Sequence, residues 1–125
     1  MAKPLDPRTE IGHVHLKVSD LERAVAFYTN ALGFEVVQRM GTSAAFLSAG
    51  GYHHHIGLNT WAGVGAPPPP PGAIGLRHFE IVLPDAASLA DVEQRIGEAA
   101  VAIDRSRDGI VVRDPSRNAI ALVVR

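Results

Sequence analysis

The chain contains no cysteine, which removes disulfides, thiolate nucleophiles and zinc–thiolate sites together. It also has no surplus of charge. Twelve Lys and Arg stand against 13 Asp and Glu, so the basic patch that nucleic acid or an anionic membrane would call for is missing. No apolar run approaches the roughly 20 residues that span a bilayer, and the opening MAKPLDPRTE lacks the apolar core of a secretory leader. These absences point to a cytoplasmic protein whose partner is a small neutral or weakly charged molecule, with no nucleic acid and no membrane involved.

What is present suits one globular domain: 125 residues, 46% apolar and 20% charged. IGHVHLKVSD alternates, with Val14, Leu16 and Val18 on one face and His13, His15 and Lys17 on the other, the period of a half-buried strand. Ser19 and Glu22 form a capping-box pattern, and Leu21, Val25, Tyr28 and Leu32 follow at helical spacing up to Gly33. FEVVQRM, AAFLSAG and YHHHIGLN then read as short strands between glycine-bearing turns, giving βαβββ over residues 10–61.

Residues 62–75, AGVGAPPPPPGAIG, cannot form a helix or a central strand, because successive prolines lack amide donors; they read as a linker. From residue 76 to 125 the pattern restarts. LRHFEIVLPD is a second alternating strand, Ser88 with Asp91 can cap a helix carrying Leu89, Val92 and Ile96, and GIVVRD and NAIALVV close the chain as strands. HVHLKVSD overlays HFEIVLPD at an offset of 65, and IGL (56–58) overlays IAL (120–122) at 64. The expected fold is therefore α+β, with two tandem βαβββ modules forming a curved mixed sheet around a central cavity and helices outside.

Duplication turns spacing into a site. If the modules pair about a pseudo-twofold axis, His13 and His78 occupy equivalent places and converge on one concave surface. The same faces carry His15, Lys17 and Glu80, while His53, His55, Gly57 and Asn59 line one face of the last strand of the first module. The histidine run lies inside the fold, where a purification tag does not belong. Trp61 and Tyr52 flank it as packing residues, and Asp114, Pro115 and Asn118 suit a turn between strands.

GHVHLKVSDLERAVAFYTNALGF, AAFLSAGGYHHHIGLNTW, the proline-rich linker and GLRHF together resemble the vicinal oxygen chelate superfamily of glyoxalase I, bleomycin-resistance proteins and extradiol dioxygenases, and its ring-cleavage dioxygenase branch in particular. The resemblance implies Fe(II) held by two histidines and a glutamate, with open positions for catechol and dioxygen. His13 and His78 match the two histidines, and His55 matches the acid/base histidine. The third ligand departs: the family tail resembles DPDGNGIEL, whereas DPSRNAIAL places Ala121 at the glutamate. Val111 stands near the position of a family tyrosine, in a shortened loop.

Glu80 lies two residues after His78, about 6.6 Å along the strand, and either it or His55 is a candidate replacement ligand. The other reading of Glu80 is a wall carboxylate paired with Lys17 or an arginine. The expected site is thus metal ligands His13, His78 and Glu80, catalytic groups His55 and Glu80, and substrate contacts His15, His53 and Asn59. The metal would be Fe(II), Zn(II), Ni(II), Co(II) or Mn(II). Two functions stay open: a dioxygenase-like enzyme acting on a small aromatic or polyketide-like substrate, with ordinary extradiol cleavage in doubt, and a metal-free drug- or metabolite-binding protein. A homodimer is expected in both, because two small sheets leave long edges to cover.

Overall fold

A computed structural model of the chain describes residues 3–125. The first module runs β1 (Val14–Lys17), α1 (Leu21–Ala26), β2 (Glu35–Met40), β3 (Ala44–Ser48) and β4 (Ile56–Asn59); α1 continues directly into a π-helical stretch, Phe27–Leu32. The second runs β5 (Phe79–Leu83), α2 (Ala86–Glu98), β6 (Asp104–Arg105), β7 (Gly109–Arg113) and β8 (Ala119–Val124). Each module folds its strands in the same order, β1-β4-β3-β2 and β5-β8-β7-β6, with a parallel pair at β1–β4 and β5–β8 and antiparallel pairs elsewhere. The α+β class and the two tandem βαβββ modules are thereby established. The single curved sheet is not formed: the strands make two separate four-stranded sheets.

The physical reason lies in where the apolar faces point. Leu16, Val18, Leu47, Ile56 and Leu58 of the first sheet share one buried cluster with Tyr28 and Leu32 of the helical segment and with Ile96, Ile110, Ile120 and Leu122 of the second module. The modules join through this cluster, and burial of apolar area holds them together. A charged hydrogen bond fixes the join, as Arg95 of α2 donates to the Leu32 carbonyl at 3.0 Å. It needs Gly33. That residue ends the helical segment at φ 95°, and a Cβ there would lie 1.7 Å from Arg95 Nη1.

Local chemistry corrects three expectations. Asp20, not Ser19, caps the first helix, accepting from the Arg23 amide at 3.1 Å. Ser19 is occupied with the linker: its hydroxyl donates to the Ala66 carbonyl, and its own carbonyl accepts from Gly65. Asp85, not Ser88, caps α2, accepting from the Ser88 amide at 2.8 Å. The third correction concerns the histidine run. The last strand of module one begins at Ile56, so His53, His54 and His55 lie in the loop before it and do not line a strand face. Residues 62–75 carry no helix or strand, as expected, and Lys17 Nζ donates to the Pro67 carbonyl at 3.1 Å.

Candidate functional site

The two sides of the module junction differ: one holds a hydrogen-bonded network and the other a larger, mostly apolar cavity. On the first side Tyr28 donates its hydroxyl to Asp114 Oδ2 at 2.8 Å, and Asn118 Nδ2 donates to the same oxygen at 2.9 Å. The amides of Ser116 and Asn118 donate to Asp114 Oδ1 at 2.8 and 2.9 Å. The Ser19 amide and the Lys17 carbonyl join this network through Ser116 Oγ and Asn118 Nδ2. The Arg117 amide closes the expected turn on the Asp114 carbonyl at 2.9 Å. Burial, reinforced by the Asp114 charge, pushes the Tyr28 phenol well above its ordinary pKa.

On the other side the same offsets put Gly50 at the place of Asp114 and Pro84 at the place of Ser19. Neither supplies a comparable side chain, and Pro84 lines a cavity of about 440 Å³ on this side. Val14, Leu32, Phe34 and Ile56 line it from the first module, and Ile81, Leu83, Val92 and Leu122 from the second. Its size and apolar walls fall in the range of small-molecule sites. Three polar side chains join the lining: His13, His55 and Glu80.

The orientation of His55 is set by the backbone. The Ala49 amide donates to His55 Nδ1 at 3.2 Å, with Ser48 Oγ at 3.3 Å from the same nitrogen. An amide can only donate, so Nδ1 carries a lone pair and the ring proton sits on Nε2. In this tautomer His55 presents one N–H donor and no free lone pair. It can hold or transfer a proton but cannot ligate a metal without giving up the Ala49 bond.

The other expected residues separate into groups. Glu80 forms an ion pair with Arg125 and stands opposite Ala121 in the β5–β8 register. This is the wall-carboxylate arrangement. His78 is exposed just before β5 and does not line the cavity that His13 lines. His15 packs over Gly57, its partner across β1–β4, where a Cβ would come within 2.9 Å of the ring, and it lies 5.1 Å from Trp61 between centroids. Asn59 is buried and its Oδ1 accepts from the Trp61 amide at 3.0 Å, which ties it to the strand end. His53 and His54 gather beside His13, with the His13 and His54 rings 4.5 Å apart. Burial first, and then the neighbouring His13, depresses the pKa of both His15 and His54.

Among the described residues, no three His, Asp or Glu side chains come together as a metal-binding group. Glu80 is engaged by Arg125, His55 is engaged by Ala49, and Ala121 offers a methyl group. The donor set of this chain therefore does not fit the two-histidine, one-carboxylate centre that the resemblance implies. Sequence reasoning anticipated a cavity between the modules but missed the Tyr28–Asp114 network. The unequal residues at the repeat-related positions 50 and 114 were the available signal.

Matched against known proteins, residues 10–122 fit the family model described as Glyoxalase/Bleomycin resistance protein/Dioxygenase superfamily. The chain belongs to this superfamily. It is 52% identical over 108 residues to a catechol-2,3-dioxygenase of Bacillus subtilis (strain 168), an alignment covering 86% of this chain and 38% of that relative. The superfamily member thus spans about two fifths of the relative's length. Its fold matches the crystal structure of lactoylglutathione lyase from Agrobacterium tumefaciens, with a TM-score of 0.69, 25% identity and coverage of 95% and 96% of the two chains. A glyoxylase/bleomycin resistance protein/dioxygenase domain from Frankia sp. EAN1pec matches with a TM-score of 0.72 at 21% identity, covering 93% of this chain and 97% of that one.

Proposed function

We propose that this superfamily member binds a small phenolic aromatic of the catechol class in the cavity between its modules, on a dioxygenase-like scaffold that has lost ordinary ring cleavage. The observation that carries the reading is the fixed tautomer of His55, which leaves an N–H donor on a residue that lines an apolar cavity. Apolar walls favour the faces of an aromatic ring, and an N–H donor among them selects a ligand with an acceptor oxygen. The likeness to a catechol-2,3-dioxygenase supports the ligand class. The departures at Ala121, Val111 and the engaged Glu80 support the loss of cleavage.

Calorimetry with catechol in the presence of a chelator tests the binding. Saturable one-to-one binding that weakens about tenfold in His55→Phe, the cost of one hydrogen bond of roughly 1.4 kcal/mol, is the expected result. No binding in the parent would overturn the proposal. So would ring-opened product formed with added Fe(II) at enzyme-like rates of about 1 to 10³ per second.

The same proposal includes a homodimer. Val36, Val37 and Met40 on edge strand β2, Trp61, and Val82 on β5 are exposed, and a second copy would cover such apolar surface and strand edges. Sedimentation should give twice the 13.3 kDa chain mass at micromolar concentration. A stable monomer there would count against the dimer alone.

A further inference from the structure

The loop that carries His53 and His54 holds an arrangement the cavity does not use. Their Nδ1 atoms lie 3.1 Å apart. Adjacent residues of an extended chain point to opposite sides, so this convergence is a property of the turn before β4. A metal about 2.0–2.1 Å from both nitrogens would see them at about 100°, between the square-planar and tetrahedral angles. The bite is also held from outside. The Tyr52 ring lies 4.2 Å from His53 at 33°, and His54 is flanked by His13 at 4.5 Å and Phe46 at 5.1 Å. Aromatic neighbours on both rings restrict their rotation and lower the entropy lost on chelation. His53 is exposed and gives solvent access.

We infer that His53 and His54 form a two-nitrogen chelating site for a divalent transition metal, with ligands other than His78 and position 121, and with water completing the shell. Cu(II) is the metal such a nitrogen pair binds best, by the order of divalent stabilities, and it tolerates a 90–100° bite with two water ligands. A hydrogen bond between the two Nδ1 atoms would hold the same pair in the metal-free protein, with one ring donating and the other accepting. Metal binding would replace that shared proton.

The full chain titrated with Cu(II) and followed by electron paramagnetic resonance tests the site. One equivalent should give a single species whose superhyperfine pattern shows two equivalent nitrogens. His53→Asn and His54→Asn each keep an amide near the Nδ1 position, so the turn retains a hydrogen-bonding pair. Each should nevertheless weaken Cu(II) binding by about tenfold or more, since even loss of a group that merely orients a ligand costs that much. His78→Ala should leave the signal and the affinity unchanged, whereas His13→Ala, which removes a ring packed on His54, should keep the two-nitrogen signal with a modestly lower affinity. The inference is overturned if the double variant binds Cu(II) as tightly as the parent, if His13→Ala or His78→Ala abolishes the signal, or if the parent shows no one-equivalent species. Circular dichroism of each variant separates a lost ligand from a lost fold.

Discussion

Glu80 stands directly opposite Ala121 across the parallel β5–β8 pair, the place that His15 and Gly57 occupy across β1–β4. In both pairs a long polar side chain faces a residue with little or no side chain. In the first module the space is filled by the His15 ring. In the second, Glu80 turns to Arg125.

Ala121→Glu would put a second carboxylate beside Glu80 at a buried position. With a chelator present it should destabilise the fold by about 1–3 kcal/mol, the usual cost of an inadequately paired buried polar group. Divalent cations should restore part of that loss, because a paired carboxylate site favours a cation over mutual repulsion. Thermal unfolding with and without Mn(II) measures both effects, and identical melting in the two conditions would remove the metal-restoring role of position 121.

Tyr28→Phe deletes one donor to a buried carboxylate and leaves its ring in the core. Hydrogen bonds to charged groups contribute about 1.5–3 kcal/mol, and urea unfolding should show a loss of that size. Asp114→Ala should cost more, because four donors lose their acceptor at once.

Gly33→Ala tests the join between modules. Left-handed backbone costs a non-glycine residue about 1–2 kcal/mol, and here the added methyl must also displace Arg95 from the Leu32 carbonyl. Gly41→Ala is the control, since its φ is 56° but nothing lies within 4 Å of the new Cβ. Gly33→Ala should therefore be clearly more destabilising than Gly41→Ala in chemical denaturation. Equal losses would mean that Arg95 does not fasten the modules.

Stability should fall in mild acid. His15 and His54 have pKa values held below 6.5 by burial and then by His13, so between the folded values and 6.5 the unfolded chain binds more protons than the folded one. Their contribution is constant above 6.5 and declines as pH falls below it. His15→Gln combined with His54→Gln should flatten the pH dependence of urea midpoints between pH 7.5 and 5.5. An unchanged slope would assign the acid sensitivity elsewhere.

Periodicity and repetition made much of the fold legible. The alternation of VHLK and FEIVL and the offsets of 64 and 65 follow from local chemistry that a strand and a duplicated module impose on any chain. The first helix was legible to its end at Gly33, although the cap shifted from Ser19 to Asp20. Here two competent capping side chains were adjacent, and the linker carbonyl at Ala66, remote in sequence, took one of them. The same limit applied at the histidine run, where spacing alone suggested a strand through 53–55. The bond from Ala49 to His55 and the mutual approach of His53 and His54 made it a loop.

By itself the sequence determined the residue types that can act: which positions hold imidazole, that position 121 is an alanine, and that no thiol is present. Tertiary structure decided which of them meet. Glu80 meets Arg125 because β5 lies beside the C-terminal strand, His55 takes one tautomer because a backbone amide points at it, and the cavity is walled by apolar side chains that both modules bring together. These are contacts between residues distant in the chain or set by the path of a turn. Local propensity carries no information about them.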